Sequence, residues 1–355
     1  MTLATNLTRR LGLQFPIVQG PFGGGLSTTR LVSAVSNLGG LGSYGAHVLA
    51  PAEIGPLAAE IRALTDKPFA LNLWVSDHDP GGLSLSEAEF ERSFPIFEPL
   101  FAELGLAEPA IPERFHPSFE DQVEALLEAA PPAFSFVFGI PSRKVLEACR
   151  VRGIVTMGAA TTLPEAEALE AAGVEAIVAS GFEAGGHRPS FLRPAEDSLI
   201  GSFALTQLIA HRVGVPVIAA GGIADGRGLR AALTLGAAAA QVGTAFLACA
   251  ESGTNEAHRA ALFGDPARHT VLTRGLTGRL ARTIENRLIE VMSEAPALPP
   301  FPVQAWFTSA IKAAALKAGR SDLISLYAGQ IAPNLEHRTA GDLMTALIDP
   351  PAAAA

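Results

Sequence analysis

Sulfur is scarce in this chain, with two cysteines and four methionines in 355 residues. Cys149 and Cys249 sit in apolar stretches without metal-ligand or redox spacing, which argues against a disulfide framework or a thiolate metal centre. Basic charge is in deficit too: 26 Lys and Arg against 35 Asp and Glu leave a formal net charge of −9. A phosphate backbone calls for a basic face, and with no Lys/Arg run to provide one, no nucleic-acid partner is expected. A membrane-length apolar helix is missing as well. Ala231 to Ala250 carries no charge, but it is Ala-rich and interrupted by Gly236, Gln241, Gly243 and Thr244, so it reads as buried helix, turn and strand. The first residues reach Thr8-Arg9-Arg10 without an apolar core, so no secretory signal is expected and the cytoplasm is the default compartment. Neither a Walker loop nor Gly-x-Ser-x-Gly occurs.

What is present is a large apolar fraction, 48%, with 35 glycines and 26 prolines spread along the chain. That suits many short loops between regular elements. Eight β-rich runs alternate with amphipathic Ala/Leu/Glu segments: Pro16–Gln19, Leu41–Gly45, Phe69–Val75, Phe134–Gly139, Ile154–Gly158, Ala176–Ser180, Pro216–Ala220 and Ala239–Gly243. Repeated β-then-α units imply parallel strands, and eight of them close a barrel. Helix starts fall at Thr28, Thr162 and Asp225, and helix ends near Gly39, Gly173 and Gly236. The fold class is therefore α/β, a (β/α)8 TIM barrel formed by residues 1–75 and 133–250. An open doubly wound sheet is the competing architecture. Residues 76–132 form an insertion after the third strand, expected as a lid, and 251–350 a helical C-terminal extension packing on the barrel.

Two glycine turns end consecutive strands, Gly221-Gly222 after the seventh and Gly243-Thr244 after the eighth. There, backbone N–H groups can hold a phosphate, either of flavin mononucleotide (FMN) or of a phosphorylated substrate; the plainer reading is tight turns alone. After the sixth strand, Ser180-Gly-Phe-Glu-Ala-Gly-Gly-His187 lets backbone approach a flat ring closely and places an imidazole able to act as a base near neutral pH. A surface-loop histidine on a glycine hinge is the competing reading. Gln19-Gly20-Pro21-Phe22 offers a turn along a cofactor edge. Asn72 is an amide in an apolar strand, suited to the polar edge of a flavin or to a bond with a neighbouring strand. Gly40-Leu-Gly42-Ser-Tyr-Gly45 lacks the strand–turn–helix context of a dinucleotide site, and Asp77-His78-Asp79 reads as a solvated turn rather than a metal cluster. No metal is expected.

In order, Pro16-Ile-Val-Gln-Gly-Pro-Phe22, Ala184-Gly-Gly-His187-Arg188, Ala220-Gly-Gly-Ile223, Gln241-Val-Gly-Thr244 and Tyr327-Ala-Gly-Gln330 resemble the nitronate monooxygenases, formerly 2-nitropropane dioxygenases. The resemblance implies an FMN-containing barrel that reduces its flavin with a nitronate, one electron at a time, and reoxidises it with O2 to yield a carbonyl compound and nitrite. It also implies His187 as the group that takes the α-proton of a nitroalkane or lies beside the nitronate. Gly20, Pro21 and Phe22 would meet the flavin and Asn72 its pyrimidine edge. Ser180 and Gly185 would line the ring, and Gly222, Gln241, Val242, Gly243 and Thr244 the phosphate end. Gly186, Tyr327 and Gln330 are carried over as substrate-side residues. Phe22, Ser180 and Pro189 depart from the Met, Gln and Gly common in relatives. The partners implied are a small-molecule substrate and O2, in a monomer or homodimer. Two other functions fit the barrel: an NAD(P)H-dependent quinone or enoyl-thioester reductase, and a non-enzymatic phosphate-ligand-binding barrel.

Overall fold

The computed structural model describes residues 4–75 and 84–349. Eleven strands occur among them: β1 Ile17–Gln19, β2 Gly42–Gly45, β3 Phe69–Trp74, β4 Ala133–Val137, β5 Val155–Ala160, β6 Ala176–Ser180, β7 Gly186–His187, β8 Val217–Ala220, β9 Ala239–Val242, β10 Thr270–Thr273 and β11 Ala281–Ile284. Eight of them form one parallel sheet in the order β1-β9-β8-β6-β5-β4-β3-β2, and all eight were expected. The ring closes where the Leu41 N–H donates to Ile17 O and the Gln19 N–H to Leu41 O, both at 2.9 Å. The helices begin as anticipated. Thr28, Thr162 and Asp225 accept from the N–H of Leu31, Glu165 and Gly228, satisfying donors that a helix start leaves orphaned. Gly39, Gly173 and Gly236 follow the helix ends with φ of 89°, 87° and 99°, a left-handed conformation costly for any residue with a Cβ.

Alternation along the strands sorts residues into two layers. Val18, Leu41, Ala70, Ala133, Met157, Ala176, Val178, Ile218 and Ala239 fill the barrel interior. Leu71, Leu73, Phe134, Phe136 and Ile177 pack outward with the surrounding helices. The helix Asn6–Leu11 adds Leu7 and Leu11 to the interior cluster. Arg10 of that helix bonds Glu175, at the start of β6, at 2.9 Å, so it plugs the amino-terminal end and leaves the carboxyl end for chemistry.

The carboxyl end is covered by a second core that sequence separation conceals. Phe90, Phe97, Leu100 and Phe101 of the insertion pack with Leu276, Leu288, Met292, Val303, Phe307 and Ile311 of the extension. The Phe97 and Phe307 rings stack at 4.3 Å. At the rim, Glu103 bonds Arg287 at 2.6 Å and Arg320 at 2.8 Å. These parts of the insertion and the extension thus form one cap, whereas the final helix, Ala340–Ile348, packs Leu343, Met344 and Leu347 on the outer layer of the barrel. The helix Phe119–Ala129, grouped with the insertion on sequence, places Phe119, Val123 and Leu126 in the outer layer of the barrel. The extension, expected to be helical, also supplies β10 and β11, which form an antiparallel sheet with β7 in the order β10-β11-β7. Strands of four, four and two residues are too short for periodicity to reveal.

The β1 turn lies against β2 with no space to spare. A Cβ on Gly45 would fall 2.4 Å from Phe22 O. Gly45→Ala is expected to displace the Gly20–Phe22 turn and lower the melting temperature by several degrees, corresponding to about 1–3 kcal/mol of overpacking. An unchanged melting temperature would show that the turn can move freely.

Candidate active site

After β6, the chain runs through a turn into β7, and its two residues pair with β11, Ala281 opposite His187 and Arg282 opposite Gly186. The Arg188 N–H donates to Leu280 O at 2.8 Å. Three charged side chains hold the rest of this loop. Buried Arg188 donates from Nη1 to Ser180 O at 2.8 Å and from Nη2 to Ser198 O at 2.6 Å. Burial pulls its pKa down to about 10, which leaves it cationic at neutral pH. Buried Glu165 accepts from Thr161 N–H at 2.7 Å, Thr161 Oγ1 at 2.6 Å, Phe191 N–H at 2.7 Å and Leu192 N–H at 3.2 Å. Glu183 accepts from Ser202 N–H at 2.9 Å and Ser202 Oγ at 2.5 Å, while its carbonyl receives the Gln330 N–H at 2.9 Å.

The imidazole of His187 is half-buried among aromatic rings. Trp74 lies edge-on at 4.9 Å, Tyr327 tilted at 5.6 Å and Phe138 at 6.2 Å. His47 stacks on Trp74 at 3.8 Å. The guanidinium of Arg279 sits 3.8 Å from the Phe138 ring centre and 4.0 Å from that of Phe301, a cation–π arrangement. His187 Nε2 lies 2.8 Å from Thr277 Oγ1. Its Nδ1 has no hydrogen-bond partner among the described residues.

Desolvation is the main reason the His187 pKa falls well below 6.5, with the cations Arg279 and Lys312 and the His47 ring adding to it. His47 is lowered to about 3, first by burial and then by Arg279. Burial alone brings Lys312 to about 8. At neutral pH the site therefore holds neutral imidazoles beside cationic groups, a setting that favours a base and a developing anion. Among the described residues, no three His, Cys, Asp or Glu side chains are grouped to hold a metal ion. Asp77-His78-Asp79 lies outside those residues.

The anticipated contact residues divide by what the structure does with them. The Gly20 N–H donates to Val242 O at 2.9 Å, and a Cβ on Gly20 would lie 3.2 Å from Gly243 Cα, so the β1 and β9 ends run close together. Pro21 continues that turn, and the Phe22 N–H donates to Ser27 Oγ at 3.0 Å. No atom lies within 4 Å of where a Gly243 Cβ would project, and Gly221 and Gly222 turn with φ of 108° and 71°. Open space thus lies beside Gly243 at the β9 end, while the Glu183 side chain lies 3.4 and 3.5 Å from where Gly221 and Gly222 would project a Cβ. Gln241 is partly buried beside Val18 and Ala220. Val242 turns its side chain into the outer core, so only its backbone borders this space. Thr244 spends its hydroxyl on the Gly329 N–H at 2.9 Å. A Cβ on Gly185 would strike Gly329 N at 2.5 Å, so one side of Gly185 is covered by the extension. Gly186 has open space beside it at φ 77°. Ser180 ends β6 with its carbonyl taken by Arg188. Asn72 Nδ2 donates to Ser135 Oγ at 2.9 Å, the inter-strand bond foreseen as the alternative to a cofactor contact. The Gln330 side chain is exposed, and this residue tethers Glu183 by its backbone. An open groove of about 530 Å3, lined by Leu262, Phe263, Arg268, Pro333 and Leu335 among others, contains none of these residues.

Trp74, Phe138 and Thr277 contact His187, and His47, Arg279 and Lys312 act on it electrostatically; none of the six was singled out in the sequence. Trp74 and Phe138 do end or follow the third and fourth strands, where barrel enzymes keep their chemistry. Thr277, Arg279 and Lys312 come from the extension, and nothing local marks them.

A closed parallel barrel with one end plugged, the other capped, and a desolvated histidine at the capped end defines a (β/α)8-barrel enzyme. A profile of the nitronate monooxygenase family matches residues 4–349. The chain is 44% identical to the nitronate monooxygenase of Pseudomonas aeruginosa over 98% of this chain and 99% of that one, and 40% identical to that of Paraburkholderia phytofirmans over 95% and 92%. Its structure resembles the nitroalkane oxidase of Streptomyces ansochromogenes with a TM-score of 0.85 at 35% identity, covering 96% of both chains. FabK from Thermotoga maritima superposes with a TM-score of 0.74 at 27% identity, over 98% and 96%. The chain belongs to the nitronate monooxygenase family and is an oxidoreductase. No helix among the described residues is long and apolar enough to cross a membrane.

Proposed function

We propose that the protein is an FMN-dependent nitronate monooxygenase that converts a nitroalkane or alkyl nitronate and O2 to a carbonyl compound and nitrite. The observation that carries this reading is the unpartnered Nδ1 of a neutral, desolvated His187 that lies within the electrostatic reach of Arg279 and Lys312. FMN suits the residues present, because open space lies beside Gly243 at the end of β9, where a side chain would exclude a phosphate. Gly222, Gly243 and Thr244 would hold that phosphate through their N–H groups, and Gly20, Pro21 and Phe22 would border the ring. When bound, FMN supplies the electron acceptor.

The chain's own part is proton chemistry and exclusion of water. His187 Nδ1 accepts the α-proton of the nitroalkane as the C–H electron pair moves into the nascent C=N bond of the nitronate. Arg279 and Lys312 favour the negative charge that develops on the nitro oxygens. Trp74, Phe138 and Tyr327 displace water from around the imidazole and so strengthen those interactions. The folded-state pKa of His187 lies below its ordinary value, so the neutral form persists as pH falls and is lost only below pH 6.5. The acid limb of nitroalkane turnover is therefore expected below pH 6.5. A limb at or above that value would show that the imidazole is not desolvated during turnover.

The absorbance of the purified protein tests cofactor and reaction together. A flavin band that bleaches on anaerobic addition of a nitronate is expected. Rapid bleaching by NAD(P)H with none by nitronate would establish the reductase instead. Absence of a flavin band with no uptake of added FMN would overturn the assignment of FMN as the cofactor.

A further inference from the structure

A second residue of the extension grips the same imidazole. Thr277 lies in the connection between β10 and β11, the strand that pairs with His187, so one short segment holds the histidine by backbone and by side chain. That connection is itself immobilised. The Gly278 N–H donates to Arg274 O at 2.8 Å, Gln304 Nε2 to Gly275 O at 2.7 Å and Thr308 Oγ1 to Leu276 O at 2.7 Å. A Cβ on Gly278 would lie 2.3 Å from Phe301 N, so the turn is seated against the segment leading into the helix Val303–Lys317.

A neutral imidazole carries one proton, and the partner of one nitrogen decides what the other can do. Thr277 Oγ1 already receives the Arg279 N–H at 3.3 Å, and its own proton can point to Arg279 O at 3.5 Å. If instead the hydroxyl donated to Nε2, the imidazole proton would sit on Nδ1, and the unpartnered nitrogen would have no lone pair. If Nε2–H donates to the hydroxyl, every partner is used and the lone pair stays on Nδ1.

We propose that Thr277 is the positioning residue of His187, accepting Nε2–H so that Nδ1 presents its lone pair to the substrate. This rests on His187 being the base. In the step served, the proton leaves the α-carbon for Nδ1, the C–H pair forms the C=N bond, and the imidazolium keeps its Nε2–H on Thr277.

The test uses the flavin-loaded protein with nitroethane and with preformed ethyl nitronate as probes, on Thr277→Val, Thr277→Ser and His187→Asn. Thr277→Val is expected to lower kcat/KM for nitroethane about 10- to 100-fold, the size of losing a partner that orients a functional group and less than the ~10²–10⁴ of losing the general base itself, and to move its acid limb to lower pH. Ethyl nitronate oxidation should stay within about twofold, because its proton is already gone. Thr277→Ser keeps the hydroxyl and should restore nitroethane turnover. Unchanged nitroethane kinetics and pH profile in Thr277→Val would overturn the proposal. So would an equal loss on both substrates that serine does not rescue, which marks a purely structural role. If His187→Asn leaves nitroethane turnover intact, the base assignment falls and takes the proposal with it. If His187→Asn is impaired and Thr277→Val is not, only the proposal falls.

Discussion

His187→Asn is expected to cut turnover of a neutral nitroalkane by about 10²–10⁴, or roughly 3–5 kcal/mol of barrier, while sparing most oxidation of a preformed nitronate. Asparagine keeps a polar group near Thr277 and leaves the β7–β11 backbone pairing untouched, so the loop should hold its shape. The exchange is also neutral for neutral, because burial and the nearby cations keep His187 uncharged at pH 7. The loss would therefore report the missing proton acceptor rather than a changed field. Measurement of kcat and KM for both substrates on protein with matched flavin content decides the matter. An equal fall on both would place His187 in a step they share, such as substrate binding, and the general-base role would be wrong.

Glu165→Ala should produce the largest stability change, about 3–5 kcal/mol, measured by denaturant unfolding. The carboxylate is buried and satisfies two donors from Thr161 at the end of β5 and two backbone N–H groups at Phe191 and Leu192. Alanine would strand all four, and water reaching them would loosen the loop after His187. The hydroxyl contact at the same place, Thr161 Oγ1 to Ser190 Oγ at 2.9 Å, cannot replace the lost acceptor. Glu165→Gln retains one acceptor oxygen and should lose less. A change within about 0.5 kcal/mol, the range of an ordinary surface substitution, would mean that the loop does not depend on this hub.

The barrel was legible because its signals are local. Each strand is a short apolar run next to a helix that starts at a capping side chain such as Thr28, Thr162 or Asp225 and ends at a glycine. His187 was legible for a similar reason, since Gly185-Gly186 directly precedes it at the end of a barrel strand. The cap was not, because its core joins Phe90, Phe97 and Phe101 to Phe307 and Ile311 across most of the barrel sequence, and no short window contains both halves. The residues that tune His187 suffer from the same distance. Thr277 and Lys312 become part of the site only once β11 has paired with β7 and the helix Val303–Lys317 has packed. Asn72 shows the limit of reading a polar residue in an apolar strand: the need for a partner was correct, but Ser135, directly opposite it on β4, could be found only from register.

The joint core of insertion and extension also sets an order of events during synthesis. Phe90, Phe97 and Phe101 leave the ribosome well before Phe307 and Ile311 exist. At about 5–20 residues per second, the wait is roughly 10–40 s. During that time the barrel strands can assemble while three phenylalanines remain without their partners, a surface suited to chaperone capture. The catalytic environment of His187 thus arrives late in synthesis, and the outer layer of the barrel itself closes only when Leu343, Met344 and Leu347 of the last helix pack against Ile17, Leu31 and Val35.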